Sequence, residues 1–169
     1  MSLRDVPGIQ ITRISEENVE SFHLCLDSVA RERRYLGLVK APPLESTRDF
    51  VLSNIHNNIP QYVAVEGNKV VGWCDIVPNK SEGFTHYGTL GMGVLRDYRG
   101  KGIGTRLIEE ALYAAKEFGF ERVELEVYVS NVSAVKLYET RGFKHEGVKR
   151  KARKLDGKYD DILIMALFI

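Results

Sequence analysis

Three glycines within five positions, in Arg99-Gly100-Lys101-Gly102-Ile103-Gly104-Thr105, constrain what this chain can fold into more than any other segment. Such a run weakens a regular helix or strand, so it reads as a tight turn. Before it, about His86 to Arg96 has the composition of a strand interrupted by Gly91 and Gly93, which calls for a bend, a bulge or the close approach of another group. After it, Gly102 to Phe118 puts Ile103, Leu107, Ala111, Ala114 and Phe118 on one helical stripe, and Gly119 ends the helix. In a strand-turn-helix unit of this kind, backbone N–H groups can converge on an anion such as a pyrophosphate, and the positive end of the helix dipole favours the same charge. The spacing excludes the two commonest phosphate loops. GxGxxG needs one more position before its last glycine, and GxxxxGK[ST] needs Ser or Thr where Gly102 stands. Read by itself, the turn fits equally a helix packed closely against a sheet.

The rest of the chain alternates helical and strand periods without internal repeat or low-complexity stretch. A strand at Ile9 to Thr12 precedes Ser15, an N-cap for a helix carrying Val19, Phe22, His23, Leu26 and Val29 and fraying near Arg33-Arg34. Pro42-Pro43 separates it from a second helix, about Glu45 to Asn57. Gln61 to Glu66 and Lys69 to Val77 flank Gly67-Asn68 as a hairpin. Beyond the glycine turn and its helix come a strand at Arg122 to Val129, a helix at Asn131 to Arg141, and a closing pair at Phe143 to Lys149 and Tyr159 to Phe168. The order is βααβββαβαββ. One α/β (α+β) domain over residues 9–169 is expected, with residues 1–8 a disordered or expression-derived N-terminus.

Composition narrows the function classes. At 169 residues and 44% hydrophobic, the chain can bury a core without disulfides or metal. Cys25 and Cys74 lie outside any zinc-ligand spacing, so both read as small buried hydrophobes and no metal is expected. The 24 Lys and Arg nearly cancel the 23 Asp and Glu, which removes the global attraction that a nucleic-acid or anionic-membrane binder uses. Seven Lys or Arg between Lys144 and Lys158 read as a solvated hairpin, because aromatic residues do not interleave them. No apolar run approaches the roughly 20 residues of a membrane span, and a signal peptide is not evident, so a cytoplasmic protein is expected.

Arg99, Gly102 and Gly104 match the pyrophosphate-binding pattern Q/R-x-x-G-x-G/A, and here the chain resembles the GNAT superfamily of acetyltransferases. The resemblance extends to Gly91-Met92-Gly93-Val94 and to the stretch from Glu124 through Asn131, Ala134 and Tyr138 to Phe143. It implies the GNAT fold, a mixed, mostly antiparallel twisted sheet of about seven strands flanked by about four helices. It also implies acetyl-CoA as co-substrate, an amine acceptor, no nucleic-acid partner and a homodimer. The resemblance assigns the backbone of Met92, Gly93 and Val94 to the pantetheine arm, with the Val94 N–H aimed at the thioester carbonyl. The amides of Arg99, Gly100, Lys101, Gly102, Ile103, Gly104 and Thr105 would hold the pyrophosphate.

Asn131 and Tyr138 return to nearly the same helical face with Ala134 between them. The resemblance gives the Asn131 side chain to the pantetheine and the Tyr138 hydroxyl to the sulfur, as the acid that protonates the leaving thiolate. An N-cap and a core tyrosine are their other readings. An alkyl ammonium is only about one part in two thousand deprotonated at pH 7, so a base or a water relay is expected. Related enzymes often place a Glu two residues before the strand glycine, where this chain has Thr89. Glu126 and His86 stand as candidates, with proton loss directly to water as a third route. Acceptor specificity is assigned by the resemblance to the segments Phe22 to Pro43 and Arg150 to Lys158, and Arg34, Tyr35, Trp73 and Asp75 are candidates for that pocket. The ending Gly157 to Met165 resembles a branch containing amino-acid, polyamine and protein N-terminal acetyltransferases.

Overall fold

A computed structural model describes residues 6–169. Part of the expectation for residues 1–8 therefore lies outside the described residues. Val6 packs on the core, and its carbonyl accepts from the Ile9 N–H at 3.0 Å.

The elements follow the expected order: β1 (Ile9–Arg13), α1 (Val19–Arg31), α2 (Leu44–His56), β2 (Gln61–Glu66), β3 (Lys69–Pro78), β4 (Tyr87–Val94), α3 (Ile103–Phe118), β5 (Arg122–Tyr128), α4 (Val132–Thr140), β6 (Lys144–Leu155) and β7 (Lys158–Phe168). Ser15 enters α1 through a short 3-10 turn, where the Asn18 side-chain oxygen accepts from both its N–H and its hydroxyl. Strand β4 stops at Val94 rather than reaching Arg96, because Arg96–Tyr98 is a 3-10 turn leading to the glycines. The closing pair is longer than its apolar pattern. Asp156 and Gly157 both take positive φ, 51° and 75°, forming the two-residue turn that matches strand twist, and Leu155 pairs with Lys158 beside it. The exposed charges of β6 suit the edge strand it forms.

The seven strands form one sheet in the order β1-β2-β3-β4-β5-β7-β6. All neighbours are antiparallel except β4 and β5, which run parallel and pair only over Tyr87–Thr89 and Arg122–Glu124. Beyond Thr89 and Glu124 the two strands part. One sheet face carries α3 and α4 over Cys74, Ile76, Leu90, Val123, Leu125 and Leu163. The other carries α1 and α2 over Val63 and Trp73, with Phe22 edge-on to the Trp73 ring at 5.7 Å.

Two contacts fix the site end of the fold. Gly93 pairs with Trp73, and a Cβ at 93 would stand 2.4 Å from the indole Cη2, so only glycine lets the ring lie across β4. Arg99 donates from Nε to the Val94 carbonyl at 2.8 Å and grips the Glu32 carboxylate with two bonds of 2.9 and 2.6 Å, joining the end of α1 to the end of β4. Arg99, and secondarily desolvation and Arg96, act on Glu32, and the net effect holds its carboxyl below the ordinary 4.5.

Gly93→Ala should lower unfolding free energy by about 1–3 kcal/mol through overpacking against Trp73, read as a lower urea midpoint at unchanged slope. Because the Glu32 carboxyl is depressed in the folded state, its contribution is full above the unfolded value of 4.5 and is lost as pH falls through the folded one. Wild type should therefore exceed Glu32→Gln by about 1 kcal/mol near neutral pH, and their urea midpoints should converge as the pH drops below about 4.

Candidate active site

The parting of β4 from β5 opens a cleft of about 610 Å³, within the size range of small-molecule sites. Leu90, Gly91, Met92, Gly93 and Val94 form one lip and Glu126, Val127 and Tyr128 the other. The turn and first residues of α3 close one end, with α4 contributing Asn131, Ala134 and Tyr138.

The β4 lip presents backbone hydrogen-bonding groups. Leu95 donates its N–H to Val71 of β3 at 2.9 Å. An antiparallel ladder alternates by two, so Gly93 and Gly91 also bond toward β3, while Val94 and Met92 turn their N–H and C=O groups toward the gap left by β5. Arg99 occupies the Val94 carbonyl, leaving the Val94 N–H and both Met92 groups for a guest that adds itself as a strand.

Gly100 and Gly102 take positive φ of 73° and 81°, a conformation open to glycine at little cost. Gly102 caps α3, and the first helical bond at this end runs from the Arg106 N–H to the Gly102 carbonyl at 3.2 Å. The amides of Ile103, Gly104 and Thr105 consequently have no partner one turn back and sit at the positive helix end. A Cβ at Gly104 would lie 3.4 Å from both Leu137 and Met92, so the third glycine brings α3 against α4 and β4. The turn therefore packs α3 closely, and its free amides at the positive helix end have the geometry that an anion would need. Lys101 lies outside the cleft wall, its ammonium 5.4 Å from the Tyr98 ring.

Asn131 caps α4, its side-chain oxygen accepting from the Ala134 N–H at 3.3 Å, and it also lines the cleft. Tyr138 is buried against Phe143 while lining the same cleft. Burial pushes its phenol well above the usual range, so across neutral pH it is a proton donor and not a phenolate.

The two candidate bases part company. Glu126 lies on the cleft lip, half exposed, with its carboxylate bonded to the Lys149 ammonium. His86 precedes β4 at the strand end still paired with β5, about 16 Å of extended chain from Gly91, and does not line the cleft. Alternation along a strand says nothing about which end a cleft opens at, so the sequence alone does not separate them. Of the residues expected on the acceptor side, Tyr35 lines the cleft beneath the Arg99 guanidinium at 4.7 Å, whereas Arg34 stacks on the Tyr35 ring outside it. Trp73 belongs to the core, and Asp75 sits behind Gly91. The segment after α1 and the β6–β7 turn meet through Arg33 and Asp156, with bonds of 3.0 and 2.8 Å, and through Arg153 donating to the Arg33 carbonyl at 3.0 Å. Glu32 and Leu36 escaped the sequence reading, since nothing local marks a partner 67 residues away. Among the described residues no group of three His, Cys, Asp or Glu could hold a metal, and no helix is long and apolar enough to cross a membrane.

Comparison with known proteins agrees with this architecture. An N-alpha-acetyltransferase of Saccharolobus solfataricus is 36% identical over 111 residues, spanning 59% of this chain and 62% of that protein. An L-amino acid N-acetyltransferase of Escherichia coli K12 is 30% identical over 109 residues, spanning 64% of this chain and 67% of the other. The chain thus matches about two thirds or less of the length of these curated relatives. A phosphinothricin acetyltransferase of Sinorhizobium meliloti, solved in complex with acetyl-CoA, superposes with a TM-score of 0.85 over 96% of this chain and 89% of its own, at 16% identity, and so shares the fold. Residues 25–143 match the model of the acetyltransferase (GNAT) family. With its splayed sheet, glycine-capped helix and Asn-to-Tyr helix, this chain belongs to the GNAT family of acetyltransferases.

Proposed function

We propose that the protein moves an acetyl group from acetyl-CoA to the primary amine of a small molecule, an amino acid, polyamine or similar acceptor, by direct attack within a ternary complex. The observation that carries this reading is the continuity of one cleft from a helix start with free amides, along unpaired β4 backbone, to a buried tyrosine. Those three parts suit the diphosphate, the amide-bearing arm and the thioester of one molecule. The amides of Ile103, Gly104 and Thr105 would take the diphosphate, and Met92 with Asn131 would bond the arm. The Val94 N–H is assigned to the thioester carbonyl, where charge grows as the amine attacks. Tyr138 would give its proton to the departing sulfur.

A peptide N-terminus is the second acceptor, favoured by the 36% identical N-alpha-acetyltransferase, while the 30% identical relative that acts on L-amino acids favours the first. The contact of Arg33 with Asp156 bounds the acceptor side on two edges, which suits a narrow amine-bearing end in either case. Two free, buried cysteines are in keeping with a reducing, cytoplasmic setting.

Thiol release from acetyl-CoA should be seen with at least one member of a panel of amino acids, polyamines and short peptides; acetyl-CoA binding without turnover on any of them would instead favour a catalytically silent sensor. Tyr138→Phe should lower kcat about a hundredfold and leave the acetyl-CoA Kd within about twofold. An unchanged kcat would remove the acid role.

A further inference from the structure

At the point where β4 leaves β5, one carboxylate has no partner. Asp75 of β3 pairs in register with Gly91 of β4 on one side and with Gln61 of β2 on the other. Alternation along β3 puts it on the α1–α2 face with Trp73. Among the described residues nothing donates a hydrogen bond or forms an ion pair with its carboxylate. Asp75 stands behind the cleft wall rather than in it, and glycine at 91 leaves no side chain between them: a Cβ there would stand 3.4 Å from Asp75 Oδ1, and Gly91 is itself part of the wall. Behind it, Gln61 is fully buried and bonded through Oε1 to Asn54 of α2 at 2.8 Å, while its Nε2 has no partner. An orphan amide and an orphan carboxylate thus occupy directly opposed positions on adjacent strands, with Cβ atoms about 5 Å apart.

We propose that Asp75 is the general base of the acetyl transfer, reaching the acceptor ammonium through the opening left by Gly91. The proposal rests on the acetyl-transfer reading and names the group that serves where Thr89 leaves no carboxylate. Glu126, on the opposite lip, is engaged by Lys149; Asp75 is free. Burial raises the Asp75 carboxyl to about 7, so about half of it is ionised and able to accept a proton at neutral pH. The other ionisable groups nearby are engaged, buried or distant: Glu124 with Arg122, Glu126 with Lys149, Tyr128 under the Arg153 guanidinium, His23 with Thr47, Cys25 in the α1 core, and Cys74 next to Asp75 on β3, buried on the opposite face with its thiol pushed up by burial and then by the Asp75 charge. None contributes to the Asp75 shift, and β2 and β4 present only Gln61, Thr89 and glycine beside it.

In the step itself, the acceptor ammonium gives one proton to Asp75, and the freed lone pair forms the C–N bond at the thioester carbon. The C–S bond breaks as the tetrahedral intermediate collapses. The second proton leaves the nitrogen, Tyr138 supplies one to sulfur and is replenished from it, and the Asp75 proton passes to solvent. The products are a neutral amide, free thiol and one released proton.

The test is the pH dependence of kcat/KM for the best acceptor found, in wild type, Asp75→Asn, Gly91→Ala and Glu126→Gln, alongside acetyl-CoA binding by calorimetry. Wild type should rise with pH through a limb centred near 7. Asp75→Asn should lose that limb and about a hundredfold in kcat/KM at pH 7, with acetyl-CoA Kd within about twofold. Gly91→Ala, whose added methyl makes only ordinary contact, should fall about tenfold by covering the carboxylate. Glu126→Gln should keep the limb. A limb that survives in Asp75→Asn, or one that vanishes in Glu126→Gln instead, overturns the role of Asp75 and leaves acetyl transfer standing. A uniform loss at every pH with the limb intact marks a structural role and also overturns it. A wild type that acetylates no amine overturns the transfer reading and this proposal with it.

Discussion

Three residues of parallel pairing hold β4 to β5, and the site depends on that ladder ending at Thr89 and Glu124. Past that point β4 keeps one neighbour, β3, so half of its backbone groups are left without a strand to bond. Unpaired backbone in a partly buried cleft costs free energy unless water or a guest satisfies it. The same parting creates the cleft, supplies its polar lining and sets the direction in which an extended molecule would lie. Gly91 and Gly93 belong to this arrangement: side chains there would meet Asp75 and Trp73 on one face of the strand.

The open end of the split is held in position by charge. Arg99 ties the Val94 carbonyl to Glu32 of the α1 end, and its guanidinium covers Tyr35. One motif residue therefore acts on the protein rather than on a phosphate, aligning the end of β4 with the turn that starts α3. On the proposed reading the phosphates go to backbone, to the three helix-start amides that have no partner within the helix. This division explains why glycine matters at 100 and 102, where φ is positive, and why it matters for packing at 104.

Most of the architecture was legible in the sequence because it is written in local periods: strand alternation, the α3 stripe, proline and glycine stops. The glycine turn and the Asn131-to-Tyr138 spacing are local too, and the structure brings both to one cleft. What stayed hidden depends on register across the sheet. That Asp75 faces Gly91, that Glu32 closes on Arg99, and that His86 sits at the closed end of β4 follow from pairings no local window contains. The basic run hid the second half of β6, beyond Lys149, because its edge position leaves little apolar alternation to read, and the Asp156-Gly157 turn alone signals where it reverses.

The chemistry divides along the same line as the fold. Backbone groups and a helix end suit the donor, whereas the proposed acceptor side would depend on side chains brought from β3, β5 and the β6–β7 turn. The central claim is that the split between β4 and β5 is where acetyl-CoA lies. It is tested most directly by following backbone amide resonances of the protein as acetyl-CoA is added. Saturable shifts concentrated at Met92, Val94 and Gly102 to Thr105, with little change along β1, β2 and α2, are predicted. Shifts centred elsewhere, or none at millimolar acetyl-CoA, would contradict the account.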